Sequence, residues 1–363
     1  MWEGGSVLGW LSGKGCWIVL GTFSVALWGA ERPNIVLIVA DDLGWADLGC
    51  YGQKTLRTPH LDRMAEEGIR FTNFYAGSTV CAPSRCALMT GKHTGHATVR
   101  GNRNPEVPLR PDDVTIGEVL KQAGYDTAAF GKWGLGGVMT WGHPNLQGFD
   151  YFFGYLNHWH AHAYYPQHLW ENSIERMILE NLTGFKRVYS HELFVERILQ
   201  YLEKHTERPF FLYIAFTLPH ANNELGKATG DGMEVPGYGS YARMDWPRPE
   251  RGFAAMIEML DRDVGRILAK LKELGLDKST LVLFTSDNGP HSEGGHRAEF
   301  FDSNGPLRGI KRDLYEGGIR VPLIARWPGR IRPDQVSDHV WAFWDLLPTL
   351  AELVGVPAPE GID

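Results

Sequence analysis

The sequence predicts an α/β protein with a mainly parallel central sheet sandwiched by helices. Three observations lead there. Continuous apolar, β-branched runs recur along the chain, each run stops at a polar or charged residue, and stretches of helical periodicity alternate with the runs. A chain of 363 residues can bury a large core, and residues 31–363 read as one domain rather than two.

The first run, Asn34 to Ala40, halts at Asp41-Asp42 as a strand buried on both faces would. Asp126 to Phe130 leads into Gly131-Lys132, Pro209 to Leu218 into Pro219-His220, and Leu281 to Ser286 into Asp287-Asn288-Gly289. Thr58-Pro59 is expected to open a helix over Leu61 to Glu67, closed by Gly68, and a second helix is expected from Thr115 to Ala123, closed by Gly124. Glu192 to His205 and Phe253 to Leu274 each carry a single apolar stripe, and both predict longer helices. Between Tyr151 and Tyr189, and between Asn222 and Glu250, the chain is rich in Gly, Pro, His and aromatics without clean periodicity. Both segments are expected as loops over the site.

The chain has 36 basic and 43 acidic residues, a formal charge of −7, and no long basic tract, which excludes a nucleic-acid backbone as partner. Lys14 precedes an apolar run from Cys16 to Trp28 that is too short to span a bilayer comfortably and suits a signal peptide over residues 1–30, cut near 26–30. The expected mature chain is therefore secreted or periplasmic, without a stable membrane span. It keeps Cys50, Cys81 and Cys86, too few for a disulfide scaffold. Cys50 and Cys86 are expected to be structural and not bonded to each other, because Cys86 falls inside the helix that Pro83 starts.

In open α/β sheets, ligands bind beyond the carboxyl ends of the strands. Asp41, Asp42, Lys132, His220, Asp287 and Asn288 all lie at such ends and should converge on one crevice. Adjacent carboxylates at 41 and 42 repel unless a cation sits between them, and Asp287 with the Asn288 amide oxygen adds hard oxygen ligands. An all-oxygen set points to calcium, or to magnesium, rather than zinc. The most specific segment is Cys81-Ala82-Pro83-Ser84-Arg85-Cys86-Ala87-Leu88-Met89-Thr90-Gly91. Pro83 suits a first helical turn, which places Cys81 at a positively polarised N-terminus with Arg85 four residues on. Read from the residues alone, Cys81 is either an activated thiolate nucleophile or a buried structural cysteine.

Cys81-x-Pro83-Ser84-Arg85 followed by Leu88-x-Thr90-Gly91 resembles the formylglycine-forming motif of the type I, arylsulfatase-like sulfatases of the alkaline-phosphatase-like superfamily. Pro33-Asn34-Ile35, Gly131-Lys132-Trp133, Pro219-His220, Asp287-Asn288-Gly289, and Lys311 ahead of Tyr315 to Pro322 follow in that family's order, so the resemblance runs from about Pro33 to Asp363. It implies that Asp41, Asp42, Asp287, Asn288 and the modified Cys81 hold one divalent ion, usually calcium. Cys81 would be converted to formylglycine (3-oxoalanine) by a formylglycine-generating maturation enzyme. Arg85 would orient the modified residue, Lys132 and Lys311 would grip the sulfate oxygens, and His220 would serve the leaving group. The implied reaction is hydrolysis of sulfate monoesters, on a sulfated carbohydrate or other small molecule such as an aryl sulfate. The alternatives are a phosphonate or phosphodiester hydrolase of the same superfamily and an inactive relative that binds sulfated glycans.

One departure stands out. Many sulfatases carry histidine two residues after the motif lysine, but this chain has Gly134. The loop from Asn157 to Tyr165 could supply a substitute, and His160, His162, His291 and His296 are candidate substrate contacts. The resemblance also implies a smaller C-terminal subdomain that the chain, ending at Asp363, is expected to lack or cut short.

Overall fold

A computed structural model describes residues 32–363, which form one compact unit. The expected signal peptide and Cys16 lie outside the described residues. The strands are β1 (Asn34–Ala40), β2 (Ile69–Tyr75), β3 (Asp126–Lys132), β4 (Tyr151–Tyr155), β5 (His168–Glu171), β6 (Ile174–Met177), β7 (Phe210–Ala215), β8 (Thr280–Ser286), β9 (Arg320–Arg326), β10 (Gln335–Ser337) and β11 (Trp341–Ala342). The helices are α1 (Pro59–Glu66), α2 (Cys81–Thr90), α3 (Ile116–Gln122), α4 (Ser190–Lys204), α5 (Asn223–Thr229), α6 (Arg248–Glu273), α7 (Glu316–Ile319) and α8 (Phe343–Val354).

All eleven strands join one sheet in the order β10-β2-β9-β8-β1-β7-β3-β4-β5-β6, with β11 also on β2. From β8 to β4 every pairing is parallel. β9 runs antiparallel to both its neighbours, and β4, β5 and β6 pair antiparallel. Strand β1 shows why its sequence is apolar throughout. Ile35, Leu37 and Val39 enter one core with residues of α2, α3 and α8, while Val36, Ile38 and Ala40 enter the other with residues of α1, α4 and α6. Each fully buried branched side chain contributes about 1.5–3 kcal/mol, so a strand covered on both sides has no use for polar alternation.

Several local expectations change on contact with the structure. Thr58 does not cap α1: its hydroxyl accepts from Gly49 N at 2.8 Å and donates to Asp62 at 3.1 Å. Thr115 does cap α3, in a capping box with Glu118. Helix α6 begins at Arg248, ahead of the apolar stripe, because Pro249 fits a first turn. The aperiodic segments are not simply loops. The first contains β4, β5 and β6, and the second contains α5, capped by Asn222. Among the described residues no disulfide forms, and Cys50, Cys81 and Cys86 are free thiols. No described helix is long and apolar enough to cross a membrane.

Candidate active site

Because β1, β3, β7 and β8 are mutually parallel, their carboxyl ends open on one edge of the sheet. Asp41 and Asp42 leave β1 through a sharp turn in which Asp42 takes φ 67°, a left-handed conformation that Asp tolerates better than most residues. That turn is tied to β8, since Asp42 N donates to Asp287 Oδ1 at 3.1 Å. Gly289 lets the next turn press on Gly317 and Gly318: its N–H donates to Gly318 O, and a Cβ at 289 would collide with the Gly317 carbonyl. Lys311 N then donates to Pro290 O, which seats Lys311 over the same edge.

Helix α2 starts at Cys81 and is buried along its whole length. Cys81 Sγ lies 3.4 Å from Asp41 Oδ1. Arg85, one turn on, donates to Asp287 Oδ2 through Nε at 3.0 Å and to the Lys132 carbonyl at 2.8 Å. Lys132 Nζ meets Asp41 Oδ2 at 2.7 Å, and Lys311 Nζ meets Asp42 Oδ2 at 2.6 Å. His220 brings Nε2 within 3.2 Å of Lys311 Nζ and 3.5 Å of Asp42 Oδ2, while its Nδ1 contacts Ala221 O. All these groups are buried, so the pairing is required: an isolated charge here would cost several kcal/mol.

The titration of the cluster follows from this packing. Burial alone would raise Asp41, but Lys132, His220, Arg85 and Lys311 outweigh it and hold the carboxyl well below its usual range. Asp287 behaves oppositely: burial and the neighbouring Asp41 charge push it up to about 7 despite Arg85. Burial, with Lys311 beside it, keeps His220 neutral. The Cys81 thiol is pushed up to about 12 by burial and then by Asp41, the reverse of what an activated thiolate requires.

A divalent cation fits this donor set. One ligand atom each from Asp41, Asp42, Cys81 and His220 lie within 4.8 Å of one another, and Asn288 Oδ1 is buried without a hydrogen-bond partner. An orphaned amide oxygen beside carboxylates is a donor that a hard cation satisfies. Three carboxylates, Asp41, Asp42 and Asp287, face three cations, Arg85, Lys132 and Lys311. A divalent ion would leave the cluster net positive and able to receive an anion.

The cluster opens into a cavity of about 670 Å³ whose lining includes Val80, His158, Trp159, His162, His220 and Lys311. Of the four histidines expected to face substrate, only His162 lines it. Its ring stacks on His220 with centroids 4.8 Å apart, and its Nδ1 meets Glu224 at 2.9 Å. His160 packs instead against Tyr155 and His168. His291 contacts the Pro219 carbonyl through Nε2 and accepts from Glu293 N. His296 stacks on Phe253 and bonds Glu250. His291 and His296 are drawn into packing by Phe253, which comes from the distant helix α6, whereas the rings around His160 come from its own segment. Beside Gly134 stands His158, whose Cβ would lie 3.5 Å from a Cβ at 134.

Sequence reasoning missed Glu293, and also Glu106, whose Oε1 accepts from the backbone N of His158 at 2.7 Å. Glu293 bonds Lys311 at 3.2 Å and also pairs with Arg312; burial would raise it, but Lys311 holds it down at about 2. Glu293 sits between His291 and His296, where a polar run was already visible. Glu106 lies in an aperiodic stretch that offers no signal.

The family model described as Sulfatase matches residues 33–356, and the chain belongs to that family. It is 35% identical over 369 residues to N-acetylgalactosamine-6-sulfatase of Sus scrofa, covering 94% of this chain and 66% of that one. It is 36% identical to arylsulfatase A of Homo sapiens, covering 91% and 66%. The chain thus spans about two thirds of the length of these relatives. Among solved structures, Ps i-CgsB in complex with k-i-k-neocarrahexaose superimposes with a TM-score of 0.75 at 29% identity, covering 92% of this chain and 74% of that one.

Proposed function

We propose that the protein hydrolyses sulfate monoesters of carbohydrates, with Cys81 converted to formylglycine and a calcium ion held by Asp41, Asp42, Asp287, Asn288 and the modified residue 81. One observation carries this reading. Cys81 heads a fully buried helix against a balanced cluster of carboxylates and cations, yet its thiol is pushed away from ionisation. That environment serves a group made into a nucleophile by modification better than a cysteine used as a thiolate. A hydrated aldehyde at 81 would supply one hydroxyl to attack sulfur and a second to expel the sulfate afterwards.

The remaining work falls to the chain's own residues. Lys132 and Lys311 point their ammonium groups into the cluster, where they balance charge on the sulfuryl oxygens. Arg85 fixes Asp287 and lies one helical turn from residue 81. His220, contacting Lys311, is placed to serve the leaving oxygen. The sugar preference is supported by the partly exposed Trp159 on the cavity, a surface on which a pyranose can stack, and by the relatives' names and the oligosaccharide in Ps i-CgsB. A leader over residues 1–30 and export of the mature chain complete the proposal.

The test pairs mass spectrometry of the peptide containing residues 81–85 with activity on a panel of sulfated sugars and aryl sulfates. The reading expects conversion at Cys81, inhibition by hydrazines, and resistance to thiol alkylation. Full activity with an intact thiol would overturn the mechanism. Faster turnover of phosphate diesters or phosphonates would move the enzyme to phosphoryl transfer, and binding of sulfated glycans without turnover would make it a binding relative.

A further inference from the structure

We propose that Asn102 binds an oxygen of the sugar that carries the sulfate, and so fixes where that sugar stands relative to residue 81. This rests on the carbohydrate sulfatase reading above and adds a residue that selects the position of the ester on the sugar.

The start of α2 is short of local partners. A helix leaves its first N–H groups without acceptors of its own, and a capping side chain or another segment has to meet them. Val80 precedes the helix and has no side-chain acceptor, Pro83 has no N–H, and the Ser84 hydroxyl is turned back to accept from Gly77 N at 3.1 Å. Asn102, 20 residues on from Ala82, supplies the missing acceptor: its Oδ1 accepts from Ala82 N at 3.0 Å. That bond orients the whole amide. Ala82 N can only donate, so the atom facing it is the oxygen, and the NH2 group is the end left over. Nδ2 has no hydrogen-bond partner among the described residues, and Asn102 is an exposed residue that lines the cavity with Val80, Trp159, Lys311 and Arg312. Arg312 is tied to the same stretch of chain, since its N donates to Thr79 O at 3.0 Å from a left-handed backbone at φ 78°.

Depth decides what the free amide meets. Cys81, Lys132, His220 and Lys311 are between 1% and 4% exposed, so the sulfuryl group is held below the surface. Asn102, at the mouth, meets the alcohol portion that stays outside. A neutral NH2 suits a neutral oxygen, whether hydroxyl, ether or amide carbonyl, and Trp159 on the same cavity offers a ring face to the same sugar. Asn223 is a second amide on the lining, but it stands on α5, and no hydrogen bond among the described residues ties it to α2. Asn102 is bonded to the residue next to the nucleophile. A sugar oxygen held by Nδ2 therefore has a fixed offset from residue 81, and a sulfate attached at another carbon of that sugar is carried out of line.

The experiment uses the matured full chain, the monosulfated sugar turned over fastest in the panel above, 4-nitrophenyl sulfate, and the variants Asn102→Asp and Asn102→Ala. Asp keeps an oxygen for Ala82 N and loses the donor, whereas Ala loses both. The added charge of Asp acts on both esters, so the quantity read is the ratio of kcat/KM on the sugar to kcat/KM on the aryl sulfate. That ratio should fall about 5–10-fold in both variants. Positional isomers of the sugar sulfate should be turned over more evenly by both, and denaturant unfolding should show lost stability in Asn102→Ala alone. An unchanged ratio in both variants would overturn the inference, and so would a fall confined to Asn102→Ala, which would leave Asn102 as a helix cap only. Asn102→Asp carries the test if Asn102→Ala does not fold. A wild-type protein that turns over the aryl sulfate and no sugar of the panel would also overturn it, while leaving the sulfatase reading intact. Full conversion of Cys81 with no turnover of either ester would refute the sulfatase reading itself, and the inference with it.

Discussion

Two sides of one cavity are built differently. The charged side stands on the ends of β1, β3, β7 and β8, and each of its carboxylates touches a cation or a backbone donor deep in the protein. The histidine side, residues 157–165, lies off the strand ends and is held by carboxylates of different depth: Glu224, which holds His162, is 56% exposed, whereas Glu106, which holds His158, is 12% exposed. Rigid strand ends fix positions of charge to within a hydrogen-bond length, whereas a segment outside the strands can change composition without disturbing the sheet. On the function proposed above, the first side sets the reaction and the second adjusts which ester is accepted.

The largest expected effect comes from the charged side. Cys81→Ala should cut turnover of any sulfate ester by at least about 10⁴-fold, whatever the sugar. A Cys81→Ala protein that still turns over would erase the division between the two sides, and steady-state rates on two unrelated esters measure it. Lys311→Ala should cost about 10²–10³-fold in kcat. It should also destabilise the fold by about 3–5 kcal/mol, because Asp42 is left buried without its closest cation. Denaturant unfolding beside kinetics separates the two losses.

A third prediction concerns the metal. Asp287 has a folded pKa raised to about 7, so between about pH 4 and pH 7 the folded state holds a proton that the unfolded chain has lost. Chelated protein should therefore lose stability as pH rises through that window, and calcium, by favouring the ionised carboxylate, should flatten the loss. Asp41, whose folded pKa is lowered, contributes stability already present above about 4, so it does not reverse the sign in this window. Thermal melts at several pH values, with and without calcium, are the measurement, and identical profiles would mean that Asp287 does not meet the ion.

The smallest effect belongs to the loop. Trp159→Ala should raise KM for a sulfated oligosaccharide several-fold, about 1 kcal/mol, while leaving kcat for a small aryl sulfate near wild type. Equal loss on both substrates would show that the loop also shapes the reacting centre.

What was legible in the sequence is local and repetitive. The apolar runs of β1, β7 and β8 can be read directly, because burial on both faces leaves no alternation, and their abrupt polar ends mark Asp41, Asp42, His220 and Asp287. The segment from Cys81 to Gly91 is legible for a similar reason, as Pro83 and Gly91 bracket one helix. Strand β9 escaped, since its antiparallel place beside β8 is completed by β2, which comes from near the start of the described residues, and a short RVPLIAR run carries no register of its own. The histidines show the limit most clearly. His158, His160, His162, His291 and His296 look alike as residue types, and nothing local distinguishes one packed on Phe253 and held by Glu250 from one stacked on His220 at the cavity. Their roles were decided by tertiary packing, because a side chain's protonation and partners depend on neighbours that only the folded sheet brings within a few ångströms.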